Sequence, residues 1–222
     1  MKTTLQIKNR KSRITCALPI SRILHIASCI LYLVFCILCF GCGTDPEEEP
    51  IATPEEDIQS GWEEYDSGKY GVAVQSFEKA ITSDGDHLAD AYNGLGWVYL
   101  SFSRSAGINQ KNLATALDKF QEAVAFDNAN ADAWVGQAGL LLVRRDSQDD
   151  LRQALEAVDK ALKGNNEYLY RHDYNSQADL HVLKAQCYYY LGELDEAQNQ
   201  VNSALDIEKH NSAALALEKL LR

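Results

Sequence analysis

The chain has 222 residues, with 21 Lys and Arg against 32 Asp and Glu and a formal net charge of −11. Residues 1–41 hold six of the basic residues and no acidic one, so the remainder carries 15 basic against 32 acidic residues, a net charge of −17. Phosphate binding needs clustered Lys and Arg, so this composition argues against a nucleic-acid partner. The length suffices for one sizeable domain and a targeting segment.

The first predicted element is an apolar run, residues 23–41, which follows a basic stretch. A charged start, a hydrophobic middle and a small residue at the end are typical of a secretory signal. The segment that ends Phe40-Gly41-Cys42 resembles a bacterial lipoprotein signal, in which the cysteine becomes the lipidated first residue. The resemblance implies that residues 1–41 are a signal peptide and that Cys42 is lipidated.

The alternative for the same segment is an uncleaved transmembrane anchor, because an apolar run of 19 residues, broken only by His25 and Ser28, nearly suffices to cross a bilayer. Positive charge stays on the inner side of the membrane. Both interpretations therefore place everything after Cys42 outside the cytoplasm. We expect a protein of the bacterial cell envelope, facing the periplasm if the cell has an outer membrane.

The second predicted element, residues 42–57, reads CGTDPEEEPIATPEED. It has no hydrophobic period, and it is too acidic and too rich in proline to bury an apolar face. The sequence predicts an extended tether that holds the following domain away from the membrane.

Residues 58–209 contain an internal repeat. A four-residue phrase recurs as Ala89-Asp90-Ala91-Tyr92, Ala131-Asp132-Ala133-Trp134 and Ala178-Asp179-Leu180-His181. In the clearest copy, the residues that follow place Tyr92, Leu95, Gly96 and Tyr99 on one face of a helix. A second helical pattern with an Ala-x3-Phe or Ala-x3-Val core follows each first helix, beginning at Ala73, Ala116, Ala154 and Ala197.

This pattern resembles the tetratricopeptide repeat, whose motif is W-x2-L-G-x2-Y followed by A-x3-F. The resemblance implies an all-α, right-handed α-solenoid of about four stacked antiparallel helix pairs. Residues 210–222 then form a capping helix over the end of the stack. Phe77 and Phe120 are expected to fill the space between the helices of their pairs.

The resemblance also implies a concave groove that grips a partner's peptide or helix. The residues of that groove lie one step round each first helix, at i, i+4 and i+7 spacing. Those we expect to contact the partner are Trp62, Tyr65, Asn93, Trp97, Leu100, Val135, Leu142 and Tyr189. Trp62 and Trp97 are the strongest candidates, since exposed tryptophans commonly anchor interfaces.

No catalytic, metal-binding or cofactor-binding motif is found in the sequence. We therefore expect neither an enzyme nor a cofactor. The predicted function is that of a membrane-tethered extracytoplasmic adaptor, which binds a protein or peptide partner in an envelope assembly. The acidic charge of the domain would favour a partner that has a basic segment. The alternative is a purely architectural spacer or oligomerisation module with no groove ligand.

Overall fold

The computed structural model describes residues 52–82, 87–105, 109–165 and 174–222. Within these ranges it contains α-helices and no strand beyond one isolated bridge between Asn130 and Asn165. In chain order the helices are α1 (Pro54–Asp66), α2 (Tyr70–Thr82), α3 (Leu88–Ser105), α4 (Gln110–Phe126), α5 (Ala131–Arg144), α6 (Gln148–Ala161), α7 (Gln177–Leu191), α8 (Leu194–Ile207) and α9 (Ser212–Leu221).

Consecutive helices pack as four pairs, α1 with α2, α3 with α4, α5 with α6 and α7 with α8. The second helix of each pair contacts the first helix of the next pair, and the first helices α1, α3, α5, α7 and α9 also contact one another in that order. This pattern of near-neighbour contacts is that of a stack, so the predicted all-α solenoid fold is confirmed.

The first helix begins inside the segment predicted to be an extended tether. The Thr53 hydroxyl accepts a hydrogen bond from the Glu56 backbone N–H, and the Glu56 carboxylate accepts one from the Thr53 N–H. This reciprocal pair is a capping box, and Pro54 suits the first helical position. The expectation that residues 54–57 are extended is therefore wrong, because a capping box starts a helix here and acidic side chains in the first turn stabilise a helix N-terminus.

Two phenylalanines fill the centre of the first two pairs, as predicted, and both are fully buried. Each ring is enclosed by glycines from two different first helices. A Cβ added at Gly61 or Gly94 would lie 2.7 or 2.3 Å from the Phe77 ring. For Phe120 the two glycines are Gly96 and Gly136, with 2.5 and 2.3 Å. The aromatic rings therefore join successive repeats as well as the two helices of one pair.

The third and fourth pairs use smaller side chains at the same position. Val158 on α6 and Val201 on α8 are fully buried and share apolar clusters with the buried Ala138 and Ala185, respectively. Valine is smaller than phenylalanine and leaves room for the Cβ of an alanine. This explains why these first helices carry alanine where the earlier ones carry glycine.

The last helix, α9, packs on the two helices that precede it. The Asn211 side chain accepts a hydrogen bond from the Ala214 backbone N–H and donates one to Asp179 on α7. Helix α9 buries Ala214 and Leu217 against α7 and α8 and leaves Leu220 67% exposed. An exposed leucine remains at the end of the fold.

Candidate partner-binding surface

The predicted groove stripe lies on the first helices of the pairs, but half of its eight residues cannot be reached from solvent. Asn93, Trp97, Leu100 and Val135 are each at most 1% exposed. The prediction that these four residues contact a partner is wrong in this structure, because they belong to the core. Trp62 and Leu142 are almost buried, and Tyr65 and Tyr189 are partly exposed.

Hydrogen bonds between successive repeats explain this burial. The Trp97 indole Nε1 and the Asn93 amide donate to one carboxylate oxygen of Asp132, over 3.1 and 2.7 Å. One repeat earlier, Trp62 Nε1 donates to Asp90 over 3.3 Å. Both aspartates are the second residue of the recurring Ala-Asp-Ala phrase. The stripe therefore faces the first helix of the next repeat. The sequence carries a signal for this contact, because each tryptophan of the stripe is followed one repeat later by the aspartate that accepts its hydrogen bond.

The third repeat has a glycine where the first two have tryptophan. A Cβ at this position, Gly139, would lie 2.9 Å from the Tyr174 hydroxyl oxygen. The Tyr174 ring centroid lies 6.4 Å from that of Trp97, and the two rings meet edge to face. An aromatic side chain from the connection before α7 thus packs over the middle of the stripe, which further closes it to a partner.

Accessible apolar surface remains at the C-terminal end of the stack. A pocket of about 280 Å³, here called the C-terminal pocket, opens between the ends of α5, α7 and α9. It is lined by Leu142, Val143, Arg145, Gln186, Tyr189, Tyr190, Leu217 and Leu220. Two predicted stripe residues, Leu142 and Tyr189, come together here. Tyr190 and Leu220 are 50% and 67% exposed, so the pocket walls face solvent.

A second and larger cavity, about 380 Å³, lies beside the turn after α6. It is lined by Asn128, Ala129, Lys160, Lys163 and Gly164. The Lys160 ammonium lies 4.2 Å from the centroid of the Trp134 ring and 3.3 Å from the Glu156 carboxylate. Since its main cation already has two partners and none of its lining residues carries a large apolar side chain, this cavity is the weaker candidate.

Arg145 gives the C-terminal pocket its positive charge. It follows the last residue of α5 with φ 28° and ψ 46°, and it is the single non-glycine residue with positive φ in the part of the chain that the structure describes. Its guanidinium donates to the Leu142 carbonyl over 3.1 Å and lies 4.6 Å from the centroid of the Tyr190 ring. Arginine thus holds a backbone conformation that favours glycine.

Comparisons with solved structures establish the kind of solenoid. A thermophilic tetratricopeptide repeat protein of Thermus thermophilus is similar over 74% of this chain and 81% of its own, with a TM-score of 0.54 and 22% identity. YrrB, a tetratricopeptide repeat protein with an unusual peptide-binding site, is similar over 75% of this chain and 74% of its own, with a TM-score of 0.55 and 19% identity. The fold is that of a tetratricopeptide-repeat solenoid.

The sequence agrees with this fold locally. Residues 178–221, which cover α7, α8 and α9, match the tetratricopeptide repeat family model. A stretch of 92 residues is 36% identical to the cellulose synthase 1 operon protein C of Komagataeibacter xylinus. That stretch is 41% of this chain and 6% of the relative, so the chain spans only a small part of that protein's length.

Reactive groups are sparse in the described part of this tetratricopeptide-repeat solenoid. Cys187 on α7 is fully buried, and burial raises the pKa of its thiol to about 12, so it stays protonated and unreactive at neutral pH. Among the described residues, no three His, Cys, Asp or Glu side chains are grouped as a metal site would require.

Two features predicted from the N-terminal sequence lie outside the described residues, namely the signal or anchor segment 1–41 and the lipidated Cys42. Within the ranges that the structure covers, no helix combines the length and the hydropathy needed to cross a bilayer.

Proposed function

We propose that this protein is a non-catalytic adaptor that binds a segment of a partner protein at the C-terminal pocket. The observation that carries the proposal is the exposure of Tyr190 and Leu220 at the rim of a concavity lined mostly by aliphatic and aromatic side chains. Contiguous exposed apolar surface is characteristic of interaction sites, and aromatic side chains commonly supply most of the binding energy. The tetratricopeptide-repeat fold supports a protein or peptide ligand, since the similar protein YrrB has a peptide-binding site.

The adaptor is anchored to the bacterial cell envelope with its repeats outside the cytoplasm. The basic start, the apolar residues 23–41 and the Gly41-Cys42 junction support this location. It needs no cofactor. It binds no nucleic acid, because the net charge of −17 after residue 41 repels phosphate groups. A partner with a basic segment would be attracted by the same charge.

Capture from an envelope extract tests the adaptor role. A Tyr190→Ala/Leu220→Ala variant should lose a specific partner that the unchanged protein retains, because both truncations remove the pocket rim. The matched control is Val72→Ala/Ile207→Ala, which removes two side chains that are 45% and 51% exposed elsewhere on the fold. Equal retention by all three proteins would favour the alternative, an architectural spacer with no ligand in the pocket.

Salt dependence tests the electrostatic part of the proposal. Long-range attraction mainly sets the association rate and is screened beyond about 10 Å at 0.1 M salt. Added salt should slow association of the captured partner and leave dissociation nearly unchanged, as measured by surface plasmon resonance. An association rate that does not change with salt would contradict a basic partner.

Metabolic labelling tests the anchor. When cells that express the protein are grown with a fatty-acid analogue, the unchanged protein should incorporate the label and the Cys42→Ser variant should not. If neither protein is labelled while both remain in the membrane fraction, the uncleaved transmembrane anchor replaces the lipid.

A further inference from the structure

The chemistry of the C-terminal pocket restricts what segment can bind there. Most of its lining side chains are aliphatic or aromatic, and the single cation among its lining residues is Arg145. A wholly apolar ligand would leave this guanidinium partly desolvated without a counter-charge, which is unfavourable. The pocket therefore favours a ligand that carries an anionic group close to the ligand's own apolar side chains.

The pairing of the neighbouring arginines makes Arg145 an exception. Arg144 on α5 pairs with Asp150 over 2.6 Å, Arg152 on α6 with Glu193 over 3.2 Å, and Arg222 after α9 with Glu218 over 3.0 Å. Arg145 makes no ion pair with any described carboxylate; its contacts are the Leu142 carbonyl and the Tyr190 ring. In a chain with 32 acidic residues, an arginine at a pocket rim without a carboxylate partner is free to accept one from outside.

The backbone supplies an independent observation. The turns after α1 and α7 use glycine for their left-handed residue, Gly68 with φ 72° and Gly192 with φ 79°. The corresponding turn after α5 uses Arg145, although a non-glycine residue in this region is strained by about 1 kcal/mol or more. Strain of this kind persists only where the surrounding structure enforces it, and it is frequent at ligand-binding sites. Here the strained residue places a guanidinium at the rim of the pocket.

We propose that the C-terminal pocket binds an internal segment of a partner protein in which a bulky apolar side chain lies close to an Asp or Glu side chain that pairs with Arg145. This inference rests on the proposed adaptor function and names its ligand. The lining comes from three helices, α5, α7 and α9, so a segment of several residues can contact all of it, whereas one terminal residue cannot. The apolar side chain lies over Leu217 and Leu220, and the carboxylate lies beside Arg145.

This local requirement is compatible with a basic partner. The net charge of the domain acts at long range on the whole partner, whereas Arg145 acts only on the group that it contacts. A segment that is basic overall can carry one acidic side chain at the contact.

Peptide selection tests the inference with a defined probe. A phage-displayed library of random decapeptides is selected on the full-length protein in detergent micelles. The best binder is then synthesised with both ends capped, together with its Glu→Gln or Asp→Asn counterpart, and affinities are measured by fluorescence anisotropy. We expect selected sequences enriched in an acidic residue next to Leu, Ile or Phe, and roughly tenfold weaker binding of the amide counterpart.

Variants of the protein locate the carboxylate. The Arg145→Gln variant should bind the acidic peptide about tenfold more weakly than the unchanged protein does, and it should bind the acidic and amide peptides with equal affinity. The Arg145→Lys variant should restore part of the difference in affinity between the two peptides. Arg152→Gln, which removes the same charge from an exposed pair, is the matched control and should change nothing. Thermal melts of each variant verify that the fold is retained.

The outcomes separate this inference from the function on which it rests. If Tyr190→Ala/Leu220→Ala abolishes peptide binding but Arg145→Gln does not alter it, the adaptor function stands and the carboxylate contact is refuted. If no peptide is selected, or if pocket variants bind as the unchanged protein does, both fail. Selection of peptides without acid, or full replacement of the acidic side chain by a free C-terminal carboxylate, would also overturn the inference.

Discussion

Glycine and phenylalanine act together at the residue scale. Gly94 and Gly136 come one repeat later than the rings that they contact, so each phenylalanine is held between two successive first helices. Interiors are close-packed, and a single added methyl group cannot be absorbed where the nearest atom is 2.3 Å away. The glycine is therefore needed for space and not for its backbone freedom.

Gly136→Ala should destabilise the fold by about 1–3 kcal/mol, because its Cβ would overlap the Phe120 ring. The control is Gly71→Ala on α2, where no atom lies within 4 Å of the added Cβ and alanine is the better helix former. Urea denaturation should show a lower midpoint for the first variant and an unchanged or slightly higher one for the second. Equal midpoints would show that the contact between repeats is looser than described.

Asp132 also acts on a neighbouring repeat, because it accepts hydrogen bonds from Asn93 and Trp97 of the repeat before it. Asp132→Ala should cost about 2–4 kcal/mol, because the buried Asn93 amide and Trp97 indole both lose an acceptor. Asp90→Ala should cost less, since its bond to Trp62 is longer and partly exposed. Thermal melts that ranked the two variants in the opposite order would contradict the importance of the buried pair.

At the scale of the element, the junction between α5 and α6 is stabilised by specific local contacts. Helix α6 begins with the Ser147 hydroxyl accepting from the Asp150 N–H, and the Asp150 carboxylate then bridges back to the end of α5. Arg144 donates two hydrogen bonds to this carboxylate, over 3.0 and 2.6 Å, and the Asp146 N–H donates a third. The turn that presents Arg145 is thereby fixed on both sides.

Acid should weaken this turn in a defined direction. The hydrogen bonds from Arg144 lower the pKa of Asp150, so the folded state favours the charged carboxylate more than the unfolded state does. Its contribution is therefore fully present above the unfolded value near 3.9 and is lost as pH falls through the lower folded pKa.

Comparing Asp150→Asn with the unchanged protein measures this effect. The variant should be less stable by about 1.5–3 kcal/mol at pH 7, and the difference should shrink as the pH falls below about 4. Asp149→Asn, next to it and exposed, should show little difference at either pH. A difference for Asp150→Asn that stayed constant from pH 7 to pH 2.5 would rule out the charged pair as its origin.

At the scale of the whole molecule, contacts run between neighbouring repeats. Such a stack transmits damage mainly to adjacent units, because no long-range contact ties its ends together in the part of the chain that the structure describes. The fully buried Phe120 contacts both α3 and α5, so its loss should affect the middle of the stack most.

Phe120→Ala should cost about 3–5 kcal/mol. Hydrogen exchange should then report faster opening of α3, α4 and α5, with the amides of α8 and α9 least affected. A uniform loss of protection over all helices would show instead that the stack unfolds as one cooperative unit.

The candidate site was predicted only in part. Leu142 and Tyr189 line the C-terminal pocket as members of the expected stripe, whereas Arg145, Tyr190 and Leu220 were not expected there. The runs Arg144-Arg145 and Tyr188-Tyr189-Tyr190 are visible in the sequence, but nothing in either run shows that their ends meet. Their proximity depends on the stacking of α5 against α7.

By itself, the sequence determined the helical pairs, their repetition and the central phenylalanines, because helical periodicity and small-residue spacing are local properties of the chain. The tertiary structure alone decided which face of each first helix is buried. Trp97 has the spacing of a groove residue, yet Asp132 from the next repeat and Tyr174 from a later connection enclose it. Burial depends on what neighbouring repeats bring to a surface, and periodicity within one helix carries no information about those neighbours.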